Sequence, residues 1–338
     1  MIDIQPRCPV CREPSHRSAD APGWGEWRTC DACTLEFVNP LALPERPEAL
    51  FEDAYQGRRA ESRMEEFHER LDQRRLIRRD PSLWFWSPAY RMIIDWLKQR
   101  LEPGATTLEI GCALGFVMQA LRRAGFNPTG LDVAETAVEL NRRDGFRVWH
   151  GELATMPADW VQPQAVMAFF MLHHPVDPVG LLRNVRARWP AAPIAIAQYG
   201  RNNAGQGGVY SSPPRTLFRW NAQSLRRALE VAGYTPEVIS LASTGTESSV
   251  LNPLRRVLSW TPHVPPLHRL RLRIANSVLP SVMQAASQQE WVLVAFGEPA
   301  AGRSPDRTGG SASQPVAAEA WRGVTPAPAG APPAGTRG

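Results

Sequence analysis

From residue 106 onward the chain alternates between short apolar runs and stretches whose apolar positions recur at helical spacing. The first kind suits buried strands and the second suits helices that cover them. The pattern predicts strands over Thr106–Gly111, Thr129–Val133, Arg147–Gly151, Ala165–Leu172 and Ile194–Tyr199, with helices Phe116–Ala124, Ala134–Arg143 and Val179–Trp189 between them. A helix over Ala222–Ala232 and strands over Val238–Leu241 and Trp291–Phe296 complete the series. Strands alternating with helices imply a parallel sheet covered on both faces, a doubly wound, Rossmann-like α/β domain. Ser87-Pro88 is a good helix start, and Met92, Ile93, Trp96, Leu97 and Leu101 follow at helical spacing until Gly104.

The flanks read differently. Pro40 to Pro47 has linker composition, and Glu48 to Asp80 is a helical stretch of mixed charge, a solvated surface rather than a binding device. Between the last two strands lie about fifty residues with a helical pattern at Leu267, Leu270, Ile274, Val278 and Val282. After Pro299 the chain is Ala, Gly, Pro and Ser with almost no large apolar residue, which reads as a disordered tail. The expected organisation is therefore a small module over 1–40, a linker and helical lead-in over 41–103, a core over 104–298 with an insert over 243–289, and a tail over 299–338.

Composition narrows the class of protein. The 338 residues are 43% hydrophobic and 21% charged, with 32 prolines and 5 cysteines, as in a globular protein with something attached. The longest purely apolar run, Ala165 to Leu172, is far short of the ~18 residues of a membrane span. Polar and Cys residues stand near the N-terminus where a secretory leader would have its apolar core, so a cytoplasmic location is expected. The formal charge of +5 is unevenly spread, with five arginines against one glutamate over 243–289. Lys98 is the only lysine, which reflects coding bias more than phosphate recognition. A basic pI alone is a weak argument for a nucleic-acid partner.

Four of the five cysteines form two pairs, Cys8-Pro-Val-Cys11 and Cys30-Asp-Ala-Cys33, with eighteen residues between the pairs. Each knuckle turns two thiolates toward one point, and two knuckles make the tetrahedral sulfur set that zinc prefers. Two disulfides are the alternative, disfavoured in a cytoplasmic chain. Four thiolates leave zinc no open position, so its expected role is structural, and in so small a lobe metal binding would supply much of the folding energy.

The first core strand runs into Leu108-Glu109-Ile110-Gly111-Cys112-Ala113-Leu114-Gly115, a glycine turn between a strand's carboxyl end and a helix start. Ligands bind at such places because missing Cβ atoms admit them and free helix N–H groups face them. Glu109 opens the turn and Asp132 ends the next strand, where a carboxylate can accept both hydroxyls of a ribose. Glu109-x-Gly111-x-x-x-Gly115 resembles the first motif of the class I S-adenosylmethionine-dependent methyltransferases, with Ala113 where a third glycine is usual. Further resemblance, to bacterial methyltransferases carrying an N-terminal zinc ribbon, lies in Cys30 to Pro40, in Leu50, Phe51 and Tyr55, and in Pro213-Pro214 to Phe218 with Ser224-Leu225 and Ala232-Gly233-Tyr234. The resemblance implies a seven-stranded methyltransferase sheet with Glu109 near the methionine amino group. Gly111, Cys112 and Gly115 would line the amino-acid end, Asp132 with Val133 the ribose, Glu152 the adenine, and Phe170 the methyl end. Dinucleotide binding is the competing reading, but its G-x-G-x-x-G fingerprint has no acid opening the turn. Cys112 reads as a small filler rather than a nucleophile, since no base or second cysteine is near it in sequence.

Methyl transfer from a sulfonium is an in-line displacement, and the protein must hold the acceptor near the methyl and, for a hydroxyl acceptor, take its proton. The fourth core strand ends in Met171-Leu172-His173-His174-Pro175-Val176-Asp177-Pro178, where the resembling family commonly has an acid, a histidine and then x-x-Asp-Pro. His174 takes the histidine's place and His173 the acid's, and an imidazole titrates in the range such a base needs. The alternative is that both histidines shape a pocket wall. Tyr199, after the fifth strand, either contacts the acceptor or caps the sheet. Trp84-Phe85-Trp86 and Tyr90 are candidate lid residues or helix-to-core packing. The arginines of the insert, Arg255, Arg256, Arg269, Arg271 and Arg273, suit peripheral contact with a membrane surface, a lid or a homodimer helix.

The leading expectation is thus a methyltransferase using S-adenosylmethionine and a structural Zn2+, with a small-molecule or glycan acceptor, most often O-directed. An RNA methyltransferase and a non-catalytic cofactor-binding scaffold are the alternatives. Against RNA stand the nearly neutral core and a fourth-strand loop without the Asn/Asp-Pro-Pro-Tyr residues used on flipped bases.

Overall fold

The structure, a computed structural model, describes residues 6–41, 49–52, 87–201, 213–242 and 290–300. The candidate lid residues Trp84 to Trp86, Tyr55, most of the charged stretch 48–80, the insert 243–289 and the tail from 301 lie outside these residues.

Three antiparallel strands open the chain: β1 Ser15–Ala21, β2 Gly25–Cys30 and β3 Glu36–Asn39. Gly25 is required where β2 leaves its turn, because its φ is +105° and a Cβ there would lie 2.3 Å from the Asn39 carbonyl oxygen. Helix α1, Ser87–Lys98, leads into the alternating core: β4 Thr106–Ile110, α2 Phe116–Arg123, β5 Asn127–Asp132, α3 Glu135–Arg143, β6 Arg147–His150, β7 Ala165–Phe169, α4 Pro178–Arg188 and β8 Ile194–Tyr199. A two-residue strand, β9 Phe218–Arg219, precedes α5 Ala222–Val231, β10 Tyr234–Ala242 and β11 Glu290–Pro299.

Seven strands form one sheet in the order β10-β11-β8-β7-β4-β5-β6. The central strands β7 and β8 are apolar and buried along nearly their whole length, as strands covered on both faces must be. The sheet departs from the all-parallel expectation at β11, which runs antiparallel to both β8 and β10. A strand buried on both faces has no alternation that reports its direction, so the reversal left no mark in the sequence. The order turns back between β7 and β4, which places the ligand-binding edge at the carboxyl ends of β4, β5 and β7.

On one face α1 packs Tyr90, Ile93, Trp96 and Leu97 against α2 and the sheet, and Trp96 stacks on Phe296 at 4.7 Å. Tyr90 is therefore core packing and not part of a lid. On the other face α4 packs on the sheet beside α5, which lies against β10 and β11, and both helix starts are well capped. Asp177 accepts from the Gly180 N–H ahead of Pro178, and Asn221 and Ser224 form a reciprocal capping box.

The cysteine module is not a separate lobe. β3 pairs antiparallel with β9, so 218–219 become the fourth strand of its sheet in the order β1-β2-β3-β9. Its buried Trp27, Leu35, Phe37 and Val38 belong to one apolar cluster with Leu217, Phe218 and Trp220 and with β7, β8, α4 and α5. The expectation that metal binding supplies most of the module's folding energy is revised accordingly, because part of its apolar burial is shared with the core.

Candidate active site and cysteine cluster

The turn after β4 is wound through three left-handed residues, Gly111, Ala113 and Gly115, with φ of +72°, +44° and +73°. A Cβ on Gly115 would sit 2.0 Å from the Asn141 Oδ1, so only glycine fits. Ala113 holds the left-handed conformation where the family commonly has glycine, and its N–H donates to Asp132 Oδ2 at 2.8 Å. The other carboxylate oxygen of Asp132 accepts from the Ala134 N–H at 2.9 Å, so this side chain ties the glycine turn to the start of α3. Val133 lies between them, and its carbonyl accepts from the His150 Nε2 at 3.2 Å. Each carboxylate oxygen keeps a lone pair for a further donor such as a ribose hydroxyl.

Glu109 is 2% exposed and its Oε2 has no hydrogen-bond partner among the described residues. Burial, and then the negative charge of Asp132, hold its carboxyl well above the usual range, against a backbone N–H bond from Met118 at the start of α2. Burial likewise raises Asp132, opposed by its backbone donors. An orphaned, buried carboxylate oxygen beside a second acid fits the ammonium of an amino acid. The sign of the linkage follows. A carboxyl whose folded pKa is raised opposes folding above its unfolded pKa, so Glu109→Gln is expected to raise the melting temperature of the ligand-free protein at neutral pH while weakening S-adenosylhomocysteine binding about tenfold or more. A melting temperature that falls together with affinity would show that Glu109 serves packing alone.

Cys112 packs with Met118, Val138, Phe146 and Val148, and burial raises its pKa well above the usual thiol value. Its sulfur accepts from the Asn141 Nδ2 at 3.8 Å. Glu152, beyond β6, has an exposed side chain and follows Gly151, whose N–H donates to the Asp132 carbonyl at 2.9 Å. Asn141, which the sequence did not single out, is fully buried and clamps the turn, its Nδ2 donating to the Ala113 carbonyl at 2.7 Å and to the Ala137 carbonyl at 2.9 Å. Its only sequence signal is a polar residue on the inner face of α3.

At the end of β7 the chain leaves the sheet through Phe170, a non-glycine residue at φ +50°, whose ring stacks on Tyr199 at 4.3 Å. Strained backbone of this kind persists where the surroundings over-determine it, often beside functional groups. The histidines that follow are fixed in opposite tautomers. The His174 Nδ1 lies 2.5 Å from the Arg215 carbonyl oxygen, which can only accept, so Nδ1 carries the proton and Nε2 keeps its lone pair. Gln198 accepts the Leu172 N–H through Oε1, so its Nε2 donates to His173 Nδ1 at 2.8 Å and the lone pair of that ring is already used. Burial is the main cause that pulls the pKa of His174 down to about 4, and it pulls that of His173 well below the usual value.

A helical turn over 49–52, which the sequence did not place at the site, touches both sides of it. The Leu50 carbonyl accepts from the Arg215 Nη2 at 2.7 Å, and Phe51 meets the His174 ring edge-on at 4.9 Å. The Glu52 carboxylate accepts both the N–H, at 3.1 Å, and the hydroxyl of Thr136 at the start of α3.

The sulfurs of Cys8, Cys11, Cys30 and Cys33 all lie within 4.8 Å of one another, with Cys8 to Cys33 at 3.6 Å and Cys11 to Cys30 at 3.4 Å. Tetrahedral zinc with Zn–S bonds of about 2.3 Å needs sulfurs roughly 3.8 Å apart. Backbone N–H groups of Val10, Ala32 and Cys33 point at the Cys8 and Cys30 sulfurs at 3.4 Å, as suits thiolates. The hydrogen bond from Cys33 is the largest of the causes that bring Cys8 down to about 5, while burial is the first of those that push Cys11 up to about 11. Four close thiols cannot all ionise unaided, and a divalent cation removes that conflict.

Residues 85–239 match a family described as "Methyltransferase domain". A ribosomal protein L11 methyltransferase of Burkholderia ambifaria is 35% identical over 76 residues, which are 21% of this chain and 25% of that protein. One from Cupriavidus necator is 33% identical over 91 residues, covering 26% of this chain and 28% of its own length. The chain thus matches only about a quarter of these relatives. Among solved structures, a complex between the Haloferax volcanii Trm112 methyltransferase activator and a methyltransferase aligns with TM-score 0.45 and 16% identity, over 65% of this chain and 93% of that one. The plantazolicin methyltransferase BamL aligns with TM-score 0.45 and 15% identity, over 75% and 96%. Residues 85–239 thus carry a methyltransferase domain, and the glycine turn stands at the carboxyl end of β4 within it. Among the described residues no helix is long and apolar enough to cross a membrane.

Proposed function

We propose that this protein transfers the methyl group of S-adenosylmethionine to a hydroxyl of a small molecule or sugar in the cytoplasm, with His174 as the general base and a structural Zn2+ on Cys8, Cys11, Cys30 and Cys33. The observation that carries the reading is the fixed tautomer of His174, which keeps an unprotonated Nε2 at the end of β7. Glu109 would hold the amino group of the cofactor, Gly111 and Gly115 would admit its amino-acid end, and Asp132 would take the ribose hydroxyls. When bound, the cofactor would supply an electrophilic methyl on a sulfonium, with a neutral thioether as the leaving group. The His174 Nε2 would take the proton of the acceptor hydroxyl as its oxygen is methylated. His173, whose lone pair is spent on Gln198, can only donate, and so serves as wall and orienting neighbour. The rings of Phe51, Phe170 and Tyr199 around the histidines suit the C–H face of a sugar or small ring.

A screen of sugar and small-molecule acceptors with labelled S-adenosylmethionine tests the reading. His174→Ala is expected to lower turnover about 10²- to 10⁴-fold and to leave S-adenosylhomocysteine affinity unchanged. A base must be unprotonated, so activity is lost only as pH falls toward about 4, with no acid limb from His174 near the ordinary imidazole value. Full activity in His174→Ala would remove the histidine from the mechanism.

A further inference from the structure

We propose that the cysteine module is a positioning element of the transfer site, because it holds in place the segment 215–221 that orients His174; the inference rests on the reading of His174 as base.

Three bonds tie that segment to the loop after β7. The Arg215 carbonyl accepts from the His174 Nδ1 at 2.5 Å, the Leu217 N–H donates to the His173 carbonyl at 2.8 Å, and the Trp220 Nε1 donates to the Leu172 carbonyl at 3.3 Å. The other side of the segment belongs to the cysteine module. Val38 donates its N–H to the Leu217 carbonyl at 3.0 Å, and β3 pairs Phe37 with Phe218 and Glu36 with Arg219. Leu217 is therefore a relay within one residue, its N–H on the histidine loop and its carbonyl on the module. Arg219 lies over the Trp27 ring at 3.9 Å and 3.6 Å from the Glu36 carboxylate, which also takes Arg201 at 2.5 Å.

The link reaches the metal knuckle itself. Asn221 Nδ2 donates to the carbonyl and to the hydroxyl of Thr34, both at 2.9 Å, and Gln223 Nε2 donates to the Ala32 carbonyl at 2.8 Å. Ala32 and Thr34 flank Cys33, and Thr34 is held at φ +56°. The conformation that lets Cys30 and Cys33 share one ion is thus the one that presents these acceptors to the start of α5. A two-residue strand such as β9 cannot persist without a partner strand, so a disordered knuckle would release Leu217 and Arg215 and free the His174 ring to change tautomer. Outer-shell partners of a functional imidazole commonly set its orientation in this way.

The test reads the His174 ring in ¹⁵N-histidine spectra, assigned with His174→Gln, beside zinc content and S-adenosylhomocysteine calorimetry. In zinc-loaded protein His174 is expected to show a protonated Nδ1 and a bare Nε2. Removing the zinc with a chelator should convert this to averaged tautomers with ring N–H exchange at least about tenfold faster, while the Kd for S-adenosylhomocysteine stays within about threefold. The double variant Asn221→Ser with Gln223→Ala keeps a capping residue and the zinc but cuts the side-chain links to the knuckle, and should shift the same signals. It serves as the deciding measurement if stripped protein does not stay folded. Unchanged His174 signals in the stripped protein, or in the double variant where stripping unfolds the chain, would overturn the inference. Zinc-loaded protein that fails to bind S-adenosylhomocysteine would instead overturn the proposed function, and the His174 spectrum would still report on the module.

Discussion

Asp132→Ala should weaken S-adenosylhomocysteine binding by about hundredfold or more, measured by calorimetry on the folded variant. A hydrogen bond to a charged group contributes about 1.5–3 kcal/mol, and a carboxylate that takes both ribose hydroxyls makes two. At about 1.4 kcal/mol per factor of ten, the lower bound of that pair is already more than a hundredfold. The substitution also removes the acceptor for the Ala113 and Ala134 N–H groups, so the glycine turn loses its tie to α3. Asp132→Asn keeps an acceptor for one of those N–H groups and should bind more tightly than Asp132→Ala. Unchanged affinity in Asp132→Ala would show that no ribose docks on this carboxylate, and the methyltransferase reading of the site would fail with it.

Cys30→Ser carries the second large effect. Its sulfur accepts from the Ala32 and Cys33 N–H groups and faces Cys11, so it is central to the second knuckle. Zinc content should fall from about one ion per chain to near none, and soluble yield should fall with it. In isolated zinc peptides metal binding is worth ~10–16 kcal/mol of folding energy. The cost here is expected to be smaller, because Phe37, Val38 and Leu35 share one apolar cluster with Leu217, Phe218 and Trp220 of the core. The core should therefore retain its affinity for S-adenosylhomocysteine. Unchanged zinc stoichiometry would sink the assignment of the cluster.

Much of this protein is local in origin. The strand and helix alternation was legible because each element carries its own periodicity, and the cysteine pairs because a knuckle is a four-residue device. The glycine turn and the acids at Glu109 and Asp132 were legible because one turn and two strand ends hold them. The resemblance put His174 and not His173 in the family's histidine place, but the sequence could not show how either ring is held, since adjacent imidazoles are chemically alike. Their difference comes from Gln198, 25 residues away, and from the Arg215 carbonyl, 41 residues away.

What the sequence alone determined, then, is the class of fold, the order of its elements and the chemical types gathered at the ends of β4, β5 and β7. Only the tertiary structure decided the reversed direction of β11, the joining of β3 to β9, the clamp of Asn141 on the glycine turn and the reach of 49–52 from Arg215 to Thr136. The physical reason is one of range. Periodicity and turn chemistry act over a few residues and leave a pattern along the chain. A tautomer, a strand partner or an orphaned carboxylate is set by groups far apart in sequence, which meet only when the apolar faces close.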